Sequence, residues 1–367
     1  MKKPERPPLE TLPCPNPDCQ AHQQTPSQLT IRKVYGQDQI RYLRCQVCGE
    51  EFSERKNTML YNSKLSETRV VQIAECLSNK NSLKSTMRIS GASKSTVKRI
   101  RKVIGKKAKA LHDKNVRGVK SKVVEFDERH GIALCKRHQI WEGTALDPIS
   151  KLTIALCLGN RDEYMAQTLM QEVHARVKDK QDLLAISDGF IAYQTHFKET
   201  FGKKYPDYSK KSGKKPRKPK TMIRIPRGVA HAVVNKVYKG KRLVSVDSYI
   251  AHGTKKCVER GLKRMGDFKI NTSAIERSNL TNRSMNAYQV RRSAAFARSL
   301  ESRFSLAWWV TTVLNFSRTC RSLRQRLETP VGRRLYQERT PAMAAGIADR
   351  VWTTLDLLRV VLPLKGG

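Results

Sequence analysis

The chain has 367 residues, of which 72 are Lys or Arg and 32 are Asp or Glu, so its formal net charge is +40. That length suits two or three domains, and the excess of cations favours nucleic acid as the partner, because binding to phosphates releases condensed counterions. No apolar run approaches the roughly 18 residues of a membrane-spanning helix, and the residues after Met1 do not form a signal peptide, so we expect a cytoplasmic, nucleoid-associated protein without a membrane partner.

Two pairs of cysteines indicate a small N-terminal domain, residues 10–62. Alternating apolar residues between the pairs favour a β-hairpin. Two tight turns that each deliver two thiolates suit tetrahedral Zn²⁺, although the first spacing, with four intervening residues, is longer than the usual two. Because such a small domain has little core without its metal, we predict a β zinc ribbon with a structural Zn²⁺. Its ligands would be Cys14, Cys19, Cys45 and Cys48, with His22 as an alternative to Cys19.

Residues 63–112 are predicted to form a helix-turn-helix DNA-binding domain. An amphipathic first helix follows Ser66 as its N-cap, a second covers Asn81–Ile89, and a turn with Gly91 precedes a third, capped by Ser93 and extending to Lys107. A Gly-containing turn before a basic helix is typical of a major-groove reader, whereas a merely solvated basic helix is the alternative. The candidate DNA contacts are Lys94, Ser95, Lys98, Arg99, Arg101 and Lys102, with Lys94, Ser95 and Lys98 nearest the bases.

From residue 118 to 320 the pattern changes to strands that alternate with helices, which is typical of a mixed α/β domain. The clearest strands are Ser121–Phe126, Lys151–Leu158 and Asp182–Ser187, and Asp162–Val177 has helical spacing. We predict one α/β catalytic domain over this range.

A basic insertion at 198–265 interrupts this domain. Its Lys-, Pro- and Gly-rich middle, 210–220, predicts either a solvated mobile linker or an arm that contacts phosphate. A long helix is then expected from near Thr272 to about Leu323, with breaks allowed. Residues 321–367 are predicted as a helical tail that ends in an amphipathic helix over Ala344–Leu362.

Three carboxylates of the α/β domain form a candidate catalytic set. Asp127 follows the predicted first strand, Asp188 ends a later one, and Glu276 lies early in a helix. Hard oxygen ligands suit Mg²⁺ or Mn²⁺, and a pair of such ions can activate a nucleophile and stabilise a leaving oxygen. Glu128 is the alternative to Asp127, and Asp247 is the alternative to Asp188.

The segments around these acids resemble the DDE transposases of the insertion sequence one family. The motifs are FDE at 126–128, ISDGFIAY at 186–193 and INTSAIERSNLTNRSMNAYQVRRSAAFARS at 270–299. The predicted order of zinc ribbon, helix-turn-helix and catalytic domain also agrees with that family, so the resemblance covers most of residues 12–316. It implies a ribonuclease-H-like fold and a catalytic set of Asp127, Asp188, Glu276 and, seven positions later, the basic Arg283. Seven residues are two helical turns, so Arg283 can reach phosphate on the same face. Asn279, Arg291 and Arg292 are further candidates for DNA contact.

The resemblance implies a transposase that binds the ends of a mobile element, cleaves them and joins the 3′ ends to target DNA. The implied partners are double-stranded DNA and further copies of the chain, and the cofactors are catalytic Mg²⁺ or Mn²⁺ and structural Zn²⁺. Two features depart from the family: His130 stands near a position where Trp is frequent, and the interval between Asp188 and Glu276 is long. A catalytically silent or domesticated DNA-binding protein or repressor, and a nuclease of the same fold, remain the alternatives.

Overall fold

The N-terminal segment forms a small antiparallel sheet beside the two cysteine turns. The computed structural model describes residues 6–22, 26, 28–135, 137–207, 220–240, 242–290, 295–332 and 334–362. In it, β2 (Ile40–Cys45) lies between β1 (Leu29–Tyr35) and β3 (Glu51–Ser53), antiparallel to both. The hairpin predicted between the cysteine pairs is therefore confirmed.

Three helices follow: α1 (Glu67–Ser78), α2 (Leu83–Ser90) and α3 (Lys94–Asn115). The side chains of Ser66 and Ser93 accept hydrogen bonds from backbone N–H groups in the first turns of α1 and α3, so both predicted N-caps are confirmed. Gly91 ends α2 with φ of 62°, in the left-handed region that glycine adopts easily. Helix α3 extends past its predicted end at Lys107, because its later turns, including Leu111, are buried in the main core.

The first strands of the central layer are β4 (Val123–Ile132), β5 (Gln139–Leu146), β6 (Thr153–Gly159) and β7 (Leu183–Asp188), with helices α4 (Glu163–Arg176) and α5 (Ile191–Phe201). Strands β4, β5 and β6 form an antiparallel meander, and β7 runs parallel to β4 on its other side. Three of these strands and α4 match the predicted elements. Strand β5 was not predicted, because Glu142 and Gly143 interrupt its apolar pattern.

The basic insertion contains two strand pairs: β8 (Lys203–Asp207) with β9 (Lys220–Arg224), and β10 (Val229–Lys239) with β11 (Arg242–His252). Strand β10 runs parallel to β7, so the sheet has the order β11-β10-β7-β4-β5-β6 and part of the insertion belongs to the central layer. Helix α6 (Lys255–Met265) closes the segment. The loop predicted at 210–220 lies almost entirely outside the described residues.

Helices cover both faces of this sheet. Helix α6 and helix α7 (Ser273–Met285) lie on one face, and α4 and α5 lie on the other. Helix α8 (Leu300–Phe316) is separate from α7, because the chain becomes extended at Asn286, so the single long helix is broken there. The result is a mixed α/β domain, as predicted.

Helix α8 also joins the three helices α1, α2 and α3 to the α/β domain. The indole N–H of Trp309 donates to the carbonyl of Ala74 (2.9 Å) inside the shared core. A Cβ on Gly105 of α3 would lie 2.2 Å from the Cα of Ser305, so only glycine permits this close approach of the two helices.

The predicted all-helical tail is wrong. The chain forms a hairpin of β12 (Gln325–Val331) and β13 (Arg334–Gln337), followed by the short helices α9 (Pro341–Ala344) and α10 (Thr354–Arg359). Gly346, with φ of 71°, follows α9, and a capping box of Thr353 and Asp356 starts α10. Of the helices that the structure describes, none combines the length and the apolar character needed to cross a bilayer.

Candidate metal centres

Two of the predicted carboxylates meet at one edge of the central sheet. Strands β4 and β7 are paired only up to Phe126 and Ser187, and β4 then continues alone along β5 to Ile132. Asp127 therefore lies inside β4 and not at its end, at the point where the two strands separate. Asp188 is the last residue of β7, so the separation brings its carboxylate close to that of Asp127.

Glu128 completes this group, which we call the acidic cluster: Asp127, Glu128 and Asp188. One oxygen of each side chain lies within 4.8 Å of the others. Because neighbours on a strand point to opposite faces, Asp127 faces α7 and Glu128 faces α5. The sequence predicts Glu128 as an alternative to Asp127, and the structure places both in the cluster. Asp247 is exposed on the edge strand opposite Asn235 and is not a member.

Hydrogen bonds fix the orientation of each acid. The backbone N–H of Glu128 donates to Oδ1 of Asp127 (2.8 Å), and that of Phe190 donates to Oδ1 of Asp188 (3.1 Å). The guanidinium of Arg161 donates to Glu128 Oε2 (3.1 Å) and to Asp188 Oδ2 (3.2 Å). Sequence reasoning missed Arg161, because no local pattern indicates that this residue, two positions before α4, lies beside the middle of β4 and the end of β7.

The electrostatics of the cluster favour a bound cation. Burial, followed by repulsion from Glu128 and Asp188, raises the pKa of Asp127 from 3.8 to about 7. Burial and the charge of Asp188 also raise the pKa of Glu128. Three carboxylates held this close destabilise one another's charged forms, and a divalent cation with oxygen ligands would relieve that repulsion. The cluster therefore has a donor set compatible with metal binding.

Glu276 lines the same cavity, of about 900 Å³, without belonging to the cluster. Its Oε1 accepts hydrogen bonds from Lys236 of β10 and from Thr272 (2.7 Å). Although burial acts in the other direction, these bonds lower the pKa of Glu276. Arg283 also lines the cavity, on the same face of α7, as the seven-residue spacing predicted.

Asn279, a predicted DNA contact, lines the acidic cavity but is largely buried. It is 3% exposed, and its Nδ2 donates to Asp127 Oδ2 (2.6 Å), while Arg129 donates to its Oδ1 (3.3 Å). Arg129 and Arg303 both pair with the fully buried Glu142, at 3.0 and 2.8 Å. Asn279 thus connects a buried charge network to the acidic cluster. The candidates Arg291 and Arg292 lie outside the described residues.

The four predicted cysteines form a second cluster, with their sulfur atoms within 4.8 Å of one another. Sγ of Cys14 lies 3.7 Å from Sγ of Cys48, and Sγ of Cys19 lies 3.9 Å from Sγ of Cys45. Tetrahedral metal–sulfur bonds of about 2.3 Å separate sulfurs by about 3.8 Å, whereas a disulfide requires about 2.05 Å. His22, the alternative ligand, instead places Nδ1 3.0 Å from the carbonyl of Cys14. The spacing fits a metal held by four thiolates.

The predicted DNA contacts at the start of α3 divide into exposed and buried groups. The exposed ones are Lys94, Ser95, Lys98, Arg99 and Lys102. Arg101 is buried and donates to the hydroxyls of Tyr288 (2.5 Å) and Ser302 (2.6 Å), so the DNA contact predicted for it is wrong and its role is to hold α3 to the α/β domain. Lys94 and Lys98 line a cavity of about 1140 Å³ between α3 and the segment that leads into α8.

Comparison of the chain with protein-family models and with curated proteins finds no match.

Proposed function

We propose that the protein is a DDE transposase, which binds the ends of a mobile element and transfers their 3′ ends to target DNA. The observation that carries the proposal is the convergence of Asp127, Glu128 and Asp188 at one sheet edge, in a protein of net charge +40. Carboxylates so placed serve to hold cations, and a strongly basic surface favours a polyanionic substrate.

The architecture supports this proposal. An antiparallel meander continued by two parallel strands, with helices on both faces, is the arrangement expected of a ribonuclease-H-like fold. Ahead of it stand a four-thiolate cluster, which suits structural Zn²⁺, and three helices that end in an exposed basic surface. This is the order of domains that the resemblance to the insertion sequence one family implies.

The residues of the cavity have complementary roles in phosphodiester chemistry. Two divalent ions bound there would activate water or a 3′-hydroxyl and stabilise the leaving oxygen. Asp127 and Asp188 would hold them, with Glu128 at the same sheet edge. Glu276 would join as a ligand when its pairing with Lys236 gives way. Arg283 would then bind the phosphate whose charge the acids alone would repel.

A strand-transfer assay tests the proposal. Pre-cut duplex ends from the DNA flanking the coding sequence are incubated with Mn²⁺ and a target plasmid. The wild type should join them, and Asp188→Asn should lower the rate at least about 100-fold, since it removes a metal ligand. Asp247→Asn is the matched control, because that aspartate is exposed on the edge strand, and it should retain the wild-type rate.

Each alternative predicts a different result in the same assay. Cleavage without joining would indicate a nuclease of the same fold. Binding to the ends without either reaction would indicate a silent DNA-binding protein or a repressor. Equal activity of the wild type and Asp188→Asn would exclude catalysis by the acidic cluster.

A further inference from the structure

A two-stranded ribbon extends beyond the central sheet beside the acidic cavity. Strand β10 is paired with β7 only up to Val234, which lies opposite Asp188. Beyond that point β10 remains paired with β11 alone, as far as Lys239 and Arg242. We call residues 235–239 and 242–247 the ribbon. The ribbon begins beside Asp188 of the acidic cluster, so a ligand in the cavity lies next to it.

One face of the ribbon is apolar and exposed. Tyr238 lines the acidic cavity together with Lys236, two positions away on the same face of β10. Val246 lies opposite Lys236 and Leu243 lies opposite Tyr238, so both share this face. Tyr238 is 57% exposed, Val246 53% and Leu243 45%. Such a patch at the rim of a polar cavity is typical of a binding surface.

The charges of the ribbon favour nucleic acid as the occupant. The ribbon carries the cations Lys236, Lys239 and Arg242 against the single acid Asp247. Lys236 shares the face of Tyr238, while Lys239, Arg242 and Asp247 lie on the opposite face. Two copies of so basic an edge would repel each other, and lysines on edge strands act against pairing. An exposed aromatic ring among cations is the arrangement on which single-stranded nucleic acids stack their bases.

We propose that Tyr238 stacks against an unpaired nucleobase next to the phosphate in the acidic cavity, with Lys236 and Lys239 contacting the adjoining backbone. This inference rests on the proposed function. The base must leave the duplex to reach the ring, so the ribbon binds a frayed DNA end better than a blunt one. It thereby guides a single strand over the acidic cluster, where a paired strand would be held away by its complement.

Binding and fluorescence measurements test this assignment on the full-length protein in Ca²⁺. The probes are a blunt duplex and the same duplex with a short oligo-dT overhang. Loss of one base stack lowers affinity by about 5- to 150-fold, so Tyr238→Ala should lose that factor for the overhang and much less for the blunt duplex. Tyr238→Trp should keep the affinity, and the overhang should quench its added fluorescence.

Tyr164 provides the matched control, because it is 76% exposed on α4 and does not line the acidic cavity. Tyr164→Ala should bind both probes like the wild type, and the overhang should not quench Tyr164→Trp. Wild-type affinity of Tyr238→Ala for the overhang, or an unquenched Tyr238→Trp, would overturn the inference.

Two further outcomes separate this inference from others. If Val246→Asp lowers the oligomeric state in sedimentation while the affinity for the overhang stays the same, the ribbon is a protein interface and the inference is wrong. If the wild type joins pre-cut ends and Tyr238→Ala does so equally well on frayed and blunt ends, the ribbon assignment fails while the proposed function stands. A wild type that neither binds nor joins DNA would refute both.

Discussion

Replacing Asp127 by Asn should stabilise the metal-free protein at neutral pH while removing one carboxylate of the acidic cluster. Asp127 is buried beside Glu128 and Asp188, and these surroundings raise its pKa from 3.8 to about 7. At pH values between 3.8 and about 7, the Asp127 carboxyl keeps its proton in the folded protein and has lost it in the unfolded chain. The contribution of Asp127 to the free energy of unfolding therefore falls as the pH rises through this window. Asn carries no charge and escapes this loss.

The expected gain in the free energy of unfolding follows from the pKa shift of Asp127. About three pKa units at 1.36 kcal/mol each correspond to an upper limit of about 4 kcal/mol above pH 7. The new amide can accept from either Asn279 or the N–H of Glu128, but not from both in the present geometry. That loss costs about 1 kcal/mol, which leaves a gain of about 3 kcal/mol, or roughly 5 °C in Tm.

Differential scanning fluorimetry of both proteins in EDTA, from pH 4 to pH 8, measures this difference. The Tm of Asp127→Asn should lie slightly below that of the wild type near pH 4, because of the lost hydrogen bond, and exceed it by several degrees at pH 8. Added Mg²⁺ should then raise the Tm of the wild type and leave that of the variant unchanged. A Tm difference independent of pH, or a variant less stable at pH 8, would show that burial of the Asp127 charge does not destabilise the folded protein.

Four further variants test other parts of the structure. Cys45→Ser should lower the zinc content measured by mass spectrometry relative to the wild type, and unchanged stoichiometry would refute the four-thiolate site. Glu142→Gln should destabilise the fold by about 3–5 kcal/mol in urea unfolding, because Arg129 and Arg303 lose their buried counter-charge; a change below about 1 kcal/mol would contradict that network. Because Lys98 is exposed, Lys98→Ala should weaken DNA binding and reduce its salt dependence without changing Tm. Arg101→Ala should lower Tm, because Arg101 is buried and donates to Ser302. The reverse pattern would mean that Arg101, and not Lys98, contacts DNA.

Local patterns were sufficient to predict the elements that carry the acidic cluster. The apolar runs before Asp127 and Asp188 indicated two strands, and the structure pairs those strands in parallel. Serine caps and Gly91 likewise marked the helices of residues 63–112, because these signals act within one helical turn. Each of these features is decided by neighbours in the chain.

Contacts between distant segments could not be predicted in the same way. Arg101 and Lys98 look alike in the sequence, but Ser302 lies beside Arg101 and buries it. Asn279 shares the polar character of an exposed helix face, yet it is turned inward towards Asp127. Periodicity shows which residues share a face and does not show which distant element covers that face. The same limit hid strand β5, whose Glu142 is buried only because two arginines meet it there.

Electron paramagnetic resonance of Mn²⁺ measures directly whether the acidic cluster binds a divalent metal. The full-length protein, with its thiolate site filled by Zn²⁺, is titrated with Mn²⁺, and the free ion is counted from its signal. The wild type should remove Mn²⁺ from solution, while Asp188→Asn should bind it at least about tenfold more weakly and Asp247→Asn should match the wild type. Equal Mn²⁺ binding by the wild type and Asp188→Asn would contradict metal binding by the acidic cluster.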